Sequence, residues 1–398
     1  MTFQTAIPVA QTQMGIAIET ARGTAVPPAF WLPVMSPKYK PDIKYLPDNT
    51  LQGSMVPEYD QVPSLQVDTR GWDSYPYLDT FPVLVRAELG STDTLGAAPT
   101  NTTLSSAATV GATTVSTAAS VAAGKWIVID SGVGVQETHK VTAVAGTSAP
   151  FTLTLDYPVR FAHASGAAVT GLTSHTFSLL NNGSANTAGN QPPSCTITDF
   201  AGDAWRQNTG SQLNGLNIQG TADALPKYTC DWFSYLATTP SAPTASYSTA
   251  EAPVGWTATL ALGGTLIPYV VSWEFDFKRD VKPIAAITGT RNYYQLFASV
   301  LTMTAKATVL QDNASTWLNS YINGVTDSVD FTLQDVKSGY ALNIHSTTAK
   351  FTSGEIDRSK EWVEVPLEIK PIPSATDALA GGVSPLTWTI ANGQTTQF

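Results

Sequence analysis

The side chains best suited to chemistry in this chain are four histidines, His139, His163, His175 and His345, and two cysteines, Cys195 and Cys230. No two histidines share a ligand spacing such as His-x-x-x-His, and the cysteines form no zinc knuckle. On strand-rich sequence a lone histidine reads as a surface or turn residue. Two cysteines in 398 residues do not make a disulfide scaffold; they can pair, but two buried free thiols are the simpler expectation. Asp199-Phe-Ala-Gly-Asp203 suggests calcium, yet it lacks the alternating oxygens and distal glutamate of a calcium loop, so a turn between strands is expected. Glu364 and Glu368 can be drawn as a carboxylate pair for glycoside hydrolysis. Four residues apart on one strand face they lie about 13 Å apart by strand rise, too far for that chemistry, and they read as exposed strand-face acids. There is no Gly-x-Ser-x-Gly elbow and no phosphate-cradling Gly-Lys-Ser. The expectation is a chain with no catalytic, cofactor-binding or metal-ligating residue, hence no enzyme and no cofactor.

The elements that carry these residues are strands. In Val271 to Lys278, Val271, Trp273, Phe275 and Phe277 alternate with Ser272, Glu274, Asp276 and Lys278. Side chains alternate faces along a strand, so this is a half-buried strand with an aromatic core face and a mostly acidic wet face. Val363, Val365, Leu367 and Ile369 repeat the pattern against Glu364, Pro366, Glu368 and Lys370. Leu65–Arg70, Leu213–Gln219, Lys227–Phe233, Ser299–Leu310, Val329–Gln334 and Leu342–Thr347 also alternate. Two helices are predicted. One spans Asp73 to Gly90, with Pro82 inside it predicting a kink or an early break. The other runs from an Asp312 or Asn313 cap to Gly324, with Trp317, Leu318, Tyr321 and Ile322 on one face. The tail after Pro371 is polar and Gly-rich but keeps Trp388 and Ile390, which suits an arm that docks on something.

Composition shifts near Gly96. From there to about Thr170 the sequence is rich in Ala, Thr, Ser, Val and Gly, with short strands at Thr113–Thr117, Lys125–Asp130, Thr138–Thr142 and Phe151–Leu155. It reads as a small all-β domain, residues 97–171, inserted into a larger β domain made of residues 1–96 and 172–398. The fold class is therefore all-β with one or two short helices, an antiparallel β-sandwich or half-barrel with an inserted small β domain.

Charged residues make up 13% of the chain, and the net charge is −10. The first is low for a globular protein, and the second argues against an ordinary nucleic-acid binder, which needs a basic footprint. The opening residues show no basic region followed by an apolar run, so no signal peptide is expected. No apolar run is long enough to span a membrane. Asn101-Thr-Thr103, Asn182-Gly-Ser184 and Asn313-Ala-Ser315 match the glycosylation pattern, and without a secretion signal they read as chance matches.

Gly15-Ile-Ala-Ile-Glu-Thr-Ala-Arg-Gly-Thr-Ala25-Val-Pro-Pro, followed by Phe30-Trp-Leu-Pro-Val34, resembles the opening of tail tube proteins (major tail proteins) of long-tailed, siphovirus-like bacteriophages. Ala123-Gly-Lys-Trp-Ile-Val-Ile-Asp130 and Leu153 through Ala167 resemble small β modules spliced into phage tail proteins. The resemblance implies a virion structural protein that forms hexameric rings stacked into a hollow tube, the conduit for DNA ejection. It implies as partners further copies of the chain, tail terminator, tape measure and distal tail proteins, and double-stranded DNA in transient, non-specific passage, with no membrane partner. It implies residence in the virion tail, and in the host cytoplasm during assembly. It also implies a mildly acidic lumen lined by some of Glu274, Asp276, Asp330, Glu364 and Glu368, although each of these also reads as an ordinary outer-face acid. The 40–63 and 240–255 segments are candidates for ring-to-ring contacts, and the insertion would project outward. The competing expectation is a phage or bacterial surface β protein with a glycan- or cell-binding module.

Overall fold

The computed structural model describes residues 9–398 apart from 51, 54, 182–190, 268, 312–320 and 380. The expected helix from Asp312 to Gly324 lies largely outside the described residues. The strands used below are β1 (Gln13–Ile18), β2 (Lys38–Asp48), β3 (Asp60–Ser74), β4 (Trp126–Ile129), β5 (Glu137–Ala145), β6 (Ala168–Ser178), β7 (Cys195–Phe200), β8 (Trp205–Thr221) and β9 (Lys227–Ser234). They continue as β10 (Val270–Lys278), β11 (Thr302–Leu310), β12 (Thr326–Gln334), β13 (Ala341–Gly354), β14 (Glu364–Pro371) and β15 (Thr387–Asn392). The fold is all-β, antiparallel throughout these pairings, with few helical residues.

One sheet runs β2–β3–β9–β8–β10–β11–β14. The ladder then turns a corner at β13. Residues 349–354 of that strand pair with β14, while residues 341–345 pair with β15. Its other edge pairs with β12, and β15 pairs with β6, giving the second sheet. The two sheets close on one another through aromatics. Trp273 and Phe275 of β10 approach Phe331 of β12, with ring centroids 4.5 and 5.0 Å apart, and Phe277 approaches Trp388 of β15 at 5.0 Å. All five side chains are buried in one cluster. The tail after Pro371, read as an arm that docks on something, thus docks on its own body, with Trp388 and Ile390 in a strand paired on both edges.

A short helix, α1 (Pro82–Leu89), fills the space between the sheets. Pro82 starts this helix instead of breaking it. At the first helical position its missing N–H is no loss and its fixed φ already suits the helix. Gly90 ends the helix at φ 89°, its N–H bonded to the Arg86 carbonyl at 2.9 Å. That left-handed cap favours glycine. Arg279 covers two more terminal carbonyls, donating to Glu88 O at 2.7 Å and Leu89 O at 3.3 Å.

The inserted segment has its own apolar cluster, which includes Leu104, Val115, Ile127, Ile129, Val141, Leu153 and Val169. It is not hung on a linker. The first part of β6 pairs with β4 inside the insertion and the last part pairs with β15 in the body. The expected boundary between 171 and 172 thus falls inside a continuous strand. Trp126, Val128 and Leu172 pack on Ala341 and Ala391. Those alanines are one residue out of phase with core-facing Leu342 and Ile390, so the insertion sits on the outer face of the second sheet.

Candidate functional surfaces

The five acids expected at a channel do not share a surface. Glu274, Asp276 and Glu368 lie on the solvent face of β10 and β14, opposite Trp273, Phe275, Leu367 and Ile369. Asp330 lies on the outer face of the second sheet, because its neighbour Phe331 points into the core. It pairs in register with His345, at 2.7 Å from Oδ1 to Nδ1. His345 shares its face with Ala341 and Asn343, so Asp330 belongs to the face on which the insertion sits. Glu364 is buried, which corrects its reading as an exposed strand-face acid. Lys360 Nζ donates to both of its oxygens at 2.9 Å and Trp362 Nε1 donates to one at 2.7 Å. These contacts hold the carboxyl below its ordinary pKa, the Lys360 bond contributing most.

The face that keeps three of the acids is not acidic. Across β10, β11 and β14, Glu274, Lys306 and Glu368 stand side by side in one register, with Lys306 Nζ 3.7 Å from Glu274. Asn217 on β8 donates to Glu274 at 2.7 Å. Lys278 and Lys370 extend the same face, and with Asp276 they border a groove of about 630 Å³. Three lysines therefore answer three acids. The face that reads as mostly acidic in one strand is charge-balanced across three, because alternation in one strand says nothing of which charges its neighbours bring alongside.

Histidine placement also departs from the sequence reading. His139, His163 and His175 are buried, each against carboxylates. His175 Nδ1 meets Asp93 at 2.6 Å. His163 stands 2.6 Å from both Asp130 and Glu137. One signal for this was present: Glu137 and His139 are two apart, hence on one strand face. Among the described residues, no group of three or more His, Cys, Asp or Glu is arranged to hold a metal ion. Asp199 is bound to Arg70 at 2.7 Å, both side chains being buried, so it serves packing. Cys195 and Cys230 are buried free thiols, and burial pushes both pKa values up. Glu19, within the opening motif, accepts from Gly23 N, Ser194 Oγ, Thr196 Oγ1 and Gly210 N at 2.6–3.0 Å. That glutamate organises the entry of the chain, and the motif carries structure in place of chemistry.

Apolar side chains are exposed at both ends of the first sheet. Where β10 begins and β11 finishes stand Leu225, Tyr269 and Trp362, the last 54% exposed. At the opposite end, beyond Lys278 and before Thr302, stand Ile284, Ile287, Tyr294 and Val300. From this second end the β2–β3 hairpin extends, with Tyr45, Leu46, Met55 and Val62 exposed. The outer strand of that hairpin carries Pro41, Pro47, Lys38, Lys40 and Lys44, which discourage unplanned edge pairing. No helix among the described residues is long and apolar enough to cross a membrane. No protein-family model matches the chain, and no curated protein matches its sequence.

Proposed function

We propose that this chain is a structural subunit that self-assembles into hexameric rings stacked as a phage tail tube, the conduit for DNA ejection. The observation that carries the reading is the pair of unlike apolar patches at opposite ends of one sheet. Two different, mutually contacting patches make a head-to-tail interface, and such interfaces propagate into open stacks. The end bearing Ile287 and the β2–β3 hairpin would meet the end bearing Trp362 on the next ring. The tip of the hairpin, with Tyr45, Leu46, Met55 and Val62, lies within the 40–63 segment already suggested for that contact by the resemblance to tail tube proteins.

The position of the insertion orients the subunit. A folded unit of this size on the lumen side would obstruct a tube, so the face bearing it, with Asp330, is the exterior. The opposite face, with Glu274, Lys306 and Glu368, is then the lining. A charge-balanced lining neither gathers phosphates nor repels them strongly, and its residual fields fade within about 8 Å at physiological salt. Duplex DNA would pass without a preferred resting place. Tail terminator, tape measure and distal tail proteins would be the further partners.

Negative-stain microscopy of the purified protein tests this. Rings or tubes about 100 Å wide are expected, from six domains of ordinary compact radius. Concentration-independent monomers that bind host cells would replace it with the surface-binding alternative.

A further inference from the structure

Glu137 and His139 open β5 with Thr138 between them. Alternation sends the two titratable side chains into the inserted unit and Thr138 onto the body. The Thr138 N–H donates to Gln334 Oε1 at 3.2 Å, and Gln334 Nε2 donates to the Thr138 carbonyl at 2.7 Å. The Thr138 hydroxyl donates to the Gly339 carbonyl. Tyr157 bonds to both Thr138 O and Gln334, and Arg160 Nη2 donates to Thr257 O at 2.9 Å. These bonds are the polar half of the seam whose apolar half is Trp126 and Val128 on Ala341 and Ala391.

Directly behind Thr138 lies a chain of alternating charge. His163 places Nδ1 2.6 Å from Asp130 and Nε2 2.6 Å from Glu137. His139 places Nε2 3.2 Å from the other Glu137 oxygen and Nδ1 3.3 Å from Asp156. Both imidazoles are fully covered. An ionised carboxylate only accepts, and a neutral imidazole has a single N–H, so His163, bonded to carboxylates at both nitrogens, is satisfied only as imidazolium, and His139, bonded to Asp156 through Nδ1, adds an ion-pair contact to Glu137 through Nε2.

We propose that this cluster is a proton-held clasp: with both imidazoles charged the inserted unit is seated on the body, and loss of those protons unseats it. Without them buried Glu137 would keep its charge between Asp130 and Asp156, both about one-fifth exposed, with no cation beside it, which a buried carboxylate does not tolerate. Tyr157 packs its ring 4.2 Å from His139, and Arg160 lies over that ring while its backbone N–H donates to Glu137. Lys140, next along β5, acts on His345 of the body. From the body, Gln334, Gly339 and Thr257 face the seam and are neutral; Asp335 accepts from Gly339 N behind them, and the Asp330–His345 pair stands on the same outer face.

The direction in pH follows. Burial opposes the charged form of both histidines, but bonds from His139 to Asp156 and Glu137, and from His163 to Glu137 and Asp130, outweigh it and raise both pKa values. Their contribution is whole below about 6.5 and is lost as pH rises through the raised values. Burial likewise opposes ionisation of Glu137, yet the two histidines bring it down to about 2. Its contribution is whole above about 4.5 and is lost as pH falls toward 2.

The inference concerns the seam alone and stands whether or not the chain builds tubes. Hydrogen exchange of the full chain at pH 6 and pH 9, corrected for the intrinsic rate, tests it. Peptides covering 137–141 and 334–341 should lose on the order of tenfold in protection at pH 9, while 271–278 should not change. The double variant His139→Gln, His163→Gln should show no such pH step. Equal protection at both pH values, or the same step in the variant, overturns the clasp. Should the variant not fold, ring ¹⁵N shifts of His139 and His163 in the native chain decide: imidazolium at pH 7 is expected, and neutral rings refute the proposal.

Discussion

Phe275 and Phe331 meet across the core with ring centroids 5.0 Å apart, one from each sheet. That contact sends their chain neighbours Asp276 and Asp330 to opposite exteriors. Truncating Phe331 to alanine should cost about 3–5 kcal/mol, the range for a large buried aromatic. Chemical denaturation should show a lowered midpoint with an unchanged slope. A loss under 1 kcal/mol would mean that the sheets are not joined there.

The polarity of the proposed stack can be tested with two substitutions. Ile287→Glu damages one end of the subunit and Trp362→Glu the other. Each variant alone should yield single rings. Mixed, the intact end of one should accept the intact end of the other, giving paired rings and nothing longer by electron microscopy. Long tubes from either variant alone would remove its patch from the interface.

Charge balance on the solvent face of β10, β11 and β14 carries a further expectation. Replacing both Glu274 and Glu368 with Lys removes the partners of Lys306 and makes the strip basic. These are half-exposed sites, so stability should change by no more than about 1 kcal/mol. Assemblies of the variant should retain duplex DNA, with retention falling steeply as salt rises. Native assemblies should not. No gain in retention by the variant would take this face out of the lumen.

Glu88 on α1 is buried with neither carboxylate oxygen hydrogen-bonded. Burial pushes its pKa up to about 7, although Arg279 nearby pulls the other way. The folded state therefore holds this proton more tightly than the unfolded chain, and the resulting stability is lost as pH rises from about 4.5 to about 7. Glu88→Gln should leave stability at pH 4 nearly unchanged and raise it at pH 8 by on the order of 2 kcal/mol. Thermal unfolding at the two pH values measures this, and an equal effect at both would show that ionisation is not the cause.

Much of the fold was legible because strand alternation is a local signal. The Val271–Lys278 pattern gave the faces of β10 correctly, and Gly90 marked the end of α1. What escaped depended on partners distant in the chain. Nothing near Glu274 announces that Lys306 lies beside it, and nothing near His163 announces Asp130 and Glu137. Pro82 was misread for a different reason: a proline within a periodic run can be a helix's first residue as easily as its breaker, and only the turn at Tyr77–Phe81 decides. Glu364 was lost because Lys360 and Trp362 fold back over it, a contact that period-two reasoning does not contain.

The two points at which the insertion leaves and rejoins the body are neighbours. Gly96 faces Ser174 on one rung of the ladder between the Thr94–Gly96 strand and β6. A sequence spliced at such a rung alters the length of a hairpin and leaves every register beyond it intact. Excising residues 98–171 and closing the gap with Asn-Gly should therefore give a folded body, made less soluble by the uncovered Ala341 and Ala391. The same geometry makes this hairpin a natural cassette port, at which one inserted domain can be exchanged for another while the registers of the underlying body stay as they are.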